Sequence, residues 1–181
     1  MKRKMAIQYY QSVCGEMVLV DSGGKLSLCD WSKNRRLGLN LRRLTESHSV
    51  DFREKSTPIL HNAIMQLEEY FAGHRRQFDI PLLPLGTTFQ QHVWDELTDI
   101  PYGETRSYKE IAEKMGKAEA VRAVAQAIGA NGISIFIPCH RIIGSDGSLT
   151  GYAGGLEAKK RLIGIEKNSL SPTEVKDISQ S

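Results

Sequence analysis

A segment with two prolines and a glycine divides this sequence of 181 residues into two unlike parts. The segment runs from Pro81 to Gly86, and a proline disfavours the helical conformation both at its own position and at the residue before it. Short stretches rich in β-formers precede the segment, whereas the patterns after it are mostly helical. The sequence therefore predicts one part over residues 1–85, a second over residues 86–168, and a polar tail over residues 169–181.

The composition is that of a folded globular protein. Hydrophobic residues make up 40% of the chain and charged residues 25%, which disfavours long disorder. The basic start, Met1–Lys4, is not followed by the apolar stretch of a signal peptide, and no apolar run approaches the roughly 20 residues of a membrane-spanning helix. The formal net charge of +3 is too small to identify an anionic partner by itself. We expect a cytoplasmic monomer that associates with no membrane.

The first part is predicted to contain a small sheet and a helix. Three short stretches of β-formers, separated by serine and glycine, favour an antiparallel meander; they are Ala6–Gln11, Glu16–Asp21 and Lys25–Asp30. Between Pro58 and His74 the apolar residues recur with the period of a helix, from Leu60 to Phe71. Gly73 is expected to end that helix.

In the second part, two closely spaced helices form the most distinctive pattern. Ser107 and Glu110 have the spacing of a capping box, which predicts a helix over 108–115. Gly116 is expected to end it, and a second helix is predicted over Ala118–Gly129. Helix, short turn and helix is the arrangement of a helix-turn-helix DNA-binding unit, but an ordinary α-hairpin fits the same pattern.

Other elements of the second part surround this pair. Thr88, with Gln91 three residues later, is predicted to cap the first helix. The apolar run Ile133–Ile137 is predicted to be a buried strand. A glycine-rich loop over residues 144–155 then leads to a last helix, Leu156–Lys167.

One of the three cysteines, Cys139, is followed by a histidine that could act as its base. Cys14, Cys29 and Cys139 form no Cys-x-x-Cys pair, so we expect free thiols and no dedicated zinc cluster. Cys139 is directly followed by His140, and such a pair can be a buried apolar thiol beside a core histidine, or a nucleophile beside its base. On an extended backbone the two side chains would point to opposite faces, so the base would act through a bridging water.

A series of motifs resembles a known family. The run from Ile137 to Ile143, which contains the sequence PCHR, resembles the active-site signature of the O6-alkylguanine-DNA alkyltransferases, also called methylated-DNA–protein-cysteine methyltransferases. Other motifs follow the family's order and spacing, so that the resemblance covers about residues 88–167. These motifs are Ile100–Glu104 with Ser107 and Tyr108, Ala120–Val124, Asn131, and Gly151–Leu156 with Lys159.

The resemblance implies an α+β fold in two parts and a repair reaction on DNA. The first part would be a small ribonuclease-H-like α/β domain, although it resembles that domain only loosely. The second would be a mainly helical, winged helix-turn-helix-like domain that carries the active site. Cys139 would take the alkyl group from O6 of a guanine flipped out of double-stranded DNA, irreversibly and without metal or cofactor. O4-alkylthymine remains open as a second substrate.

The catalytic roles that the resemblance implies fall on five residues. His140 would act on Cys139 through a water, and Glu166 would orient the imidazole. Asn131 would brace the active-site turn, and Tyr108 would hydrogen-bond or protonate the leaving guanine. From the residues alone, Glu166 would instead be a surface carboxylate at a helix end, and Asn131 part of an Asn-Gly turn.

The resemblance also implies how the chain would contact DNA. Arg122 would fill the gap left by the flipped base, which offsets part of the cost of unstacking. Between residues 118 and 131 the charged residues are Glu119 and Arg122, so the helix is better suited to close approach in a minor groove than to reading base edges. Further contacts to the DNA are expected from Tyr108, Lys109, Lys117 and Ser145.

The pocket for the alkyl group would be walled by a glycine-rich loop. Its residues are Tyr152, Ala153, Gly154 and Gly155. Some family members have serine where Ala153 stands, so a hydroxyl contact to O6 would be missing here. Two other functions remain open: a non-catalytic damage-binding protein, which the presence of Cys139 disfavours, and a Cys-His-Glu hydrolase, which would turn over many times.

Overall fold

The computed structural model describes residues 3–46 and 49–170, so most of the predicted tail, from residue 171 onward, lies outside the described residues. Four strands form one sheet in the order β3-β2-β1-β4. The strands are β1 (Arg3–Ser12), β2 (Gly15–Asp21), β3 (Leu26–Trp31) and β4 (Val50–Glu54). No helix in the described part of the chain is long and apolar enough to cross a membrane.

The predicted antiparallel meander is confirmed in β1, β2 and β3. In the first part of the chain the sequence pattern missed two elements: β4, which pairs parallel to β1, and a short helix α1 (Leu37–Arg43). Apolar residues of α1 and β4 pack with a cluster on one face of the sheet. The buried members of this cluster are Met5, Ile7, Val18, Val20, Leu28 and Leu44.

Helix α2 (Pro58–Phe71) covers the other face of the sheet. It begins as expected, with proline in its first turn and the Thr57 hydroxyl accepting a hydrogen bond from the Leu60 N–H. Its last residue is Phe71, two positions before Gly73, which was predicted to end it. Gly73, with φ of +77°, follows its last turn in the left-handed conformation that glycine favours.

Four helices and a pair of two-residue strands make up the rest of the described chain. They are α3 (Thr88–Thr98), β5 (Arg106–Ser107), α4 (Tyr108–Lys114), α5 (Val121–Gly129), β6 (Ile142–Ile143) and α6 (Leu156–Asn168). The capping box of Ser107 and Glu110 is confirmed. The predicted cap of α3 was wrong by one residue, because Thr87 and Gln90 form the capping box instead of Thr88 and Gln91.

The second helix of the pair is shorter than the predicted span of 118–129. Residues Ala118–Ala120 form a 3₁₀ turn, and α5 begins only at Val121. Ala120 at the N-cap of α5 has no side-chain oxygen to accept from the first free N–H groups. The chain therefore enters this helix through a tighter turn.

The predicted strand over Ile133–Ile137 was wrong, although the run is buried. The chain turns back on itself here, with Ile135 at φ +74° and the Ile137 N–H donating to the Ile133 carbonyl. Two backbone hydrogen bonds join this segment to β3 at Cys29, whose N–H donates to the Gly132 carbonyl and whose carbonyl accepts from the Ser134 N–H. Because the turn breaks the pairing, the run forms a buried loop between the sheet and α5.

The larger hydrophobic core is shared by both parts of the chain. It contains Met17 and Trp31 from the sheet, Leu67 from α2, and Val93 and Ile137 from beyond the proline-rich segment. The buried loop that leads to Cys139 therefore packs on residues from both parts, which fixes the position of the cysteine.

Candidate active site

Cys139 lies at the start of a 3₁₀ turn, Cys139–Arg141, that follows the buried loop. Its side chain is nearly buried, and its Sγ is 3.2 Å from Asn131 Nδ2. The backbone is not extended, so the expected opposition of Cys139 and His140 across a strand was wrong. Burial raises the pKa of the Cys139 thiol to about 11. The sulfur is therefore a protonated thiol near neutral pH and needs a base to become a nucleophile.

Asn131 contacts both ends of the turn that carries Cys139. Its Nδ2 donates to the Ile137 carbonyl over 3.0 Å as well as to the cysteine sulfur, and its Oδ1 accepts from the Ile133 N–H over 2.9 Å. One buried side chain thus joins the start of the loop, its end and the reactive thiol. This is the geometry expected of a residue that braces the turn.

His140 and Glu166 form a buried pair beneath the cysteine turn. His140 Nε2 is 2.6 Å from Glu166 Oε1, and both side chains are almost inaccessible to solvent. Burial, together with the charges of Arg141 and Lys159, lowers the pKa of His140 although Glu166 acts to raise it. His140 Nδ1 is buried without a hydrogen-bond partner among the described residues. A neutral imidazole with its hydrogen on Nε2 therefore leaves the Nδ1 lone pair free to accept a proton.

Glu166 has three further hydrogen-bond donors that the sequence did not reveal. Arg141 donates two hydrogen bonds to it, from Nε to Oε2 over 2.9 Å and from Nη2 to Oε1 over 3.0 Å. The Tyr70 hydroxyl donates to Oε1 over 2.8 Å, and the Gly103 N–H donates to Oε2 over 3.0 Å. Burial alone would raise the pKa of Glu166, but His140 and Arg141 outweigh it and hold that pKa at about 2. The carboxylate is thus ionised throughout the physiological range.

No local signal in the sequence marks these donors. Arg141 stands next to the Cys-His pair, where a surface role is equally compatible with the pattern, and Tyr70 belongs to the apolar face of α2. Only the fold brings Tyr70 next to a carboxylate 96 positions later in the chain.

A cavity of about 530 Å³ opens onto Cys139, a volume within the usual range of small-molecule sites. Tyr108 lies on its wall, where the phenol is 2.9 Å from the Thr150 hydroxyl. Two residues of the first part, Asn34 and Arg36, also line it, and nothing in their local sequence had indicated a role.

The glycine-rich loop contributes to the cavity unequally. Tyr152 and Ala153 line it. Gly154 lies behind them against Trp31, so closely that a Cβ at this position would come within 2.6 Å of the indole. Gly155, with φ of +87°, is the N-cap of α6. Two of the four predicted pocket residues therefore face the cavity, and the other two shape the loop.

Lys159 is a buried cation close to the same loop. Its Nζ donates to the Thr150 carbonyl over 2.8 Å, and burial lowers its pKa to about 8. The ammonium group opposes the effect of burial on the thiol, because its charge lowers the pKa of Cys139. A positive charge near the sulfur favours the thiolate form.

The residues predicted to contact DNA all have exposed side chains except Tyr108. Arg122 is exposed on α5, whose residues Ala125, Ile128 and Gly129 border the cavity. Lys109, Lys117 and Ser145 are also exposed. The exposed face of α5 thus adjoins the mouth of the cavity, so a surface that docks there would lie next to Cys139.

A helical pair beside a buried cysteine, a His-Glu pair and an open cavity is typical of a class of protein that acts on a ligand through a thiol nucleophile. Residues 88–168 match the family model described as 6-O-methylguanine DNA methyltransferase, DNA binding domain. The methylated-DNA–protein-cysteine methyltransferase of Methanosarcina barkeri is 57% identical over 108 residues, which cover 60% of this chain and 68% of that protein. The inducible enzyme of the same name from Bacillus subtilis is 40% identical over 169 residues, which cover 92% of this chain and 88% of that protein.

The fold also matches a solved structure. The crystal structure of Mycobacterium tuberculosis OGT in complex with DNA superposes with a TM-score of 0.78 at 38% identity, and the match covers 92% of this chain and 96% of that one. The chain belongs to the methylated-DNA–protein-cysteine methyltransferase family. Its mixed α/β fold, with one main sheet and six helices in the described residues, is the fold of these structures.

Proposed function

We propose that this protein repairs O6-alkylguanine in double-stranded DNA by moving the alkyl group onto Cys139, once per molecule. The buried thiol of Cys139, which opens onto a 530 Å³ cavity beside the His140–Glu166 pair, supports this most directly. Family membership supplies the substrate class. As an enzyme, the protein is a methylated-DNA–protein-cysteine S-methyltransferase.

The reaction is an in-line displacement at the alkyl carbon. His140 Nδ1 takes the thiol proton of Cys139 through a bridging water, and Glu166 stabilises the imidazolium that forms. The sulfur lone pair then forms an S–C bond while the C–O6 bond breaks, and the electron pair of the broken C–O6 bond stays with the guanine. Tyr108 donates a proton to the leaving base, and the proton held by His140 passes through solvent to the phenolate of Tyr108. The net change is that a thiol and an alkylguanine become a thioether and a guanine.

The pKa values of the resting protein suit this mechanism. Burial raises the pKa of Cys139 to about 11 and lowers that of His140, so the free protein holds a neutral thiol beside a neutral imidazole. A buried thiol is protected from adventitious reactions until a substrate fills the cavity. The thioether product has no ionisable hydrogen and is not hydrolysed, which makes the reaction stoichiometric.

DNA binding is assigned to the pair α4 and α5. Small residues on the exposed face of α5 permit close approach to a minor groove, and Arg122 would occupy the stack that the flipped guanine leaves. Lys109, Lys117 and Ser145 are exposed and would contact the DNA backbone. The only described charges on residues 118–131 are Glu119 and Arg122, which supports recognition by groove shape over base readout.

We assign the finer architecture on the same grounds. Residues 1–85 would form a ribonuclease-H-like domain, supported by the sheet with helices on both faces. Residues 86–168 would form a winged helix-turn-helix-like domain, in which β5 and β6 pair beside α4. A DNA substrate and a nucleophile that must stay reduced also support a cytoplasmic location.

The proposal is tested by following a radiolabelled methyl group from O6-methylguanine in duplex DNA to protein. Wild-type protein and Cys14→Ala, which removes a half-buried thiol elsewhere, are expected to take up label equally. Cys139→Ala is expected to take up none while still binding the duplex, because the surface of α5 is unchanged. Uptake of label by Cys139→Ala would refute the assignment.

A further inference from the structure

Tyr70 brings a side chain from the first part of the chain into the proton relay. It lies in the last turn of α2 and is completely buried. Its hydroxyl oxygen is 2.8 Å from Glu166 Oε1 and 3.3 Å from His140 Nε2, and those two atoms are 2.6 Å apart. The three polar atoms thus form a closed triangle on the side of the imidazole away from its free Nδ1.

Packing fixes the position of this hydroxyl. The Tyr70 ring lies edge-on to Tyr102 and Phe71, with ring centroids 6.2 and 5.5 Å apart, and is tilted against Phe78 at 5.6 Å. These contacts involve the ring and not the oxygen. A phenylalanine at this position would therefore keep the packing and lose only the hydrogen bond.

The hydrogen atoms of the triangle have one consistent arrangement. Glu166 is ionised and only accepts. Tyr70 keeps its proton, because burial and the nearby Glu166 carboxylate raise its pKa well above the usual value, and it donates that proton to Glu166. Its oxygen then presents a lone pair to His140 Nε2. A bare Nε2 would face two acceptors, so the hydrogen of the neutral imidazole belongs on Nε2.

We propose that Tyr70 is a positioning residue for alkyl transfer, which holds the Glu166 carboxylate in place and so keeps His140 in the tautomer with its lone pair on Nδ1. This inference rests on the proposed function, since it concerns the base of that reaction. Tyr70 touches neither the sulfur nor the substrate cavity and acts through Glu166. The first part of the chain thereby supplies a component of the active site.

Loss of the Tyr70 hydroxyl is expected to raise the pKa of His140. The groups that face His140 are Glu166 and Lys159 on α6, Arg141 in its own turn, Tyr70 on α2, and Cys139 and Tyr152, which are both neutral near pH 7. The hydroxyl dipole of Tyr70 offsets part of the Glu166 charge. Without it the carboxylate attracts an imidazolium more strongly, which raises the pKa of His140. The base would then be protonated over a wider acidic range.

The test compares Tyr70→Phe with wild type and with Tyr10→Phe. Tyr10 is a matched control, because it belongs to the same aromatic group, 6.4 Å from Phe71, and its hydroxyl is not a donor to Glu166. The rate of methyl transfer from O6-methylguanine duplex is measured from about pH 5 to pH 9. Tyr70→Phe is expected to transfer methyl about tenfold more slowly than wild type at neutral pH. In its pH–rate profile, the fall in rate on the acidic side should lie about half a pH unit higher, and its affinity for DNA should be unchanged. Tyr10→Phe is expected to match wild type.

A double-mutant cycle separates a positioning role from a merely structural one. In a Glu166→Gln background the further change Tyr70→Phe is expected to alter the rate less than about twofold, because the carboxylate through which Tyr70 acts is gone. A rate loss of the same size in both backgrounds would overturn the proposal. So would a Tyr70→Phe protein with the wild-type rate and pH profile.

A measurement on the unmodified protein keeps the inference testable even if Tyr70→Phe does not fold. Nitrogen-15 NMR of histidine-labelled wild type is expected to show His140 protonated at Nε2 and bare at Nδ1 at neutral pH. Protonation at Nδ1 would contradict the inference. Absence of methyl uptake by wild type and Tyr10→Phe would instead refute the proposed function, while the NMR result would still decide the tautomer.

Discussion

At the scale of single residues, Glu166 is a buried charge that four residues stabilise. His140, Arg141, Tyr70 and the backbone of Gly103 all bring hydrogen atoms to its two oxygens. A buried carboxylate without such partners would be protonated or would destabilise the fold. These contacts therefore stabilise a buried charge that, in the proposed mechanism, also orients His140.

The depressed pKa of Glu166 predicts a specific loss of stability in acid. Its pKa is about 2 in the folded protein against an ordinary value of 4.5, so on acidification the unfolded chain binds the proton first. The stabilisation is complete above about pH 4.5 and is lost as the pH falls towards about 2. Urea unfolding as a function of pH is expected to show this decline in wild type.

Glu166→Gln supplies the comparison for that decline. It is expected to be about 3 kcal/mol less stable than wild type at neutral pH, because Arg141 loses its buried partner. The difference between the two proteins should shrink as the pH falls from 4.5 towards 2. A difference that stays constant over that range would show that the carboxylate is not held in its ionised form.

Arg122 offers a second prediction at this scale. Its exposed position on α5 and distance from the relay predict that Arg122→Ala folds normally but captures the flipped base poorly. We expect methyl transfer from duplex DNA to slow by about tenfold or more, as an unstacking cost of a few kcal/mol is no longer offset. Arg53→Ala, an exposed arginine that pairs with Asp51, should match wild type. Equal rates for both variants would exclude the role of Arg122.

At the scale of elements, the glycine-rich loop depends on a contact with the sheet. Trp31, the last residue of β3, leaves no room for a Cβ at Gly154. Its indole N–H also donates to the Tyr152 hydroxyl oxygen over 3.3 Å. The wall of the cavity is therefore held by a residue from the first part of the chain.

This contact predicts that Gly154→Ala displaces the loop and slows methyl transfer about tenfold or more, since small misplacements near a reacting centre are costly. Gly164→Ala is the matched control. Gly164 lies within α6, and a Cβ added there would meet nothing within 4 Å, so alanine should raise the free energy of unfolding by about 0.5–1 kcal/mol without affecting the rate. Methyl-transfer rates and urea titrations of both variants check the prediction.

Elements with local signals could be predicted from the sequence. The meander, α2 and α4 follow from β-formers, helical periodicity and the Ser107 capping box. The loop over Ile133–Ile137 could not be predicted, because an apolar run is equally compatible with a strand. The turn is visible only in the structure, from the positive φ of Ile135 and the hydrogen bond between Ile137 and Ile133. The cap of α3 was ambiguous because Thr87 and Thr88 have similar capping chemistry.

The residues of the candidate site also differ in whether the local sequence identifies them. Cys139 and His140 form a local motif, whereas a role for Asn131 was identified through the family resemblance. Glu166 was identified only through the family resemblance. Tyr70 was not identified, because its proposed role depends on a hydrogen bond to Glu166, 96 positions later in the chain, and no local sequence pattern predicts such a contact.

At the scale of the whole molecule, the two parts divided by the proline-rich segment act as one site. They share a hydrophobic core, and the first part supplies Tyr70 to the relay and Trp31 to the pocket loop. The second part supplies the nucleophile and the exposed face of α5. From the small net charge of +3 and the nearly uncharged α5 we expect affinity for DNA to depend only weakly on salt concentration.

The most direct test of this account is the mass of the protein after reaction with excess duplex DNA that contains O6-methylguanine. The account predicts that every active molecule gains the mass of one methylene group and then stops, with the added group on the peptide that contains Cys139 and with unmodified guanine in the DNA. Continued consumption of substrate beyond one equivalent, or a methyl group on any other residue, would contradict it.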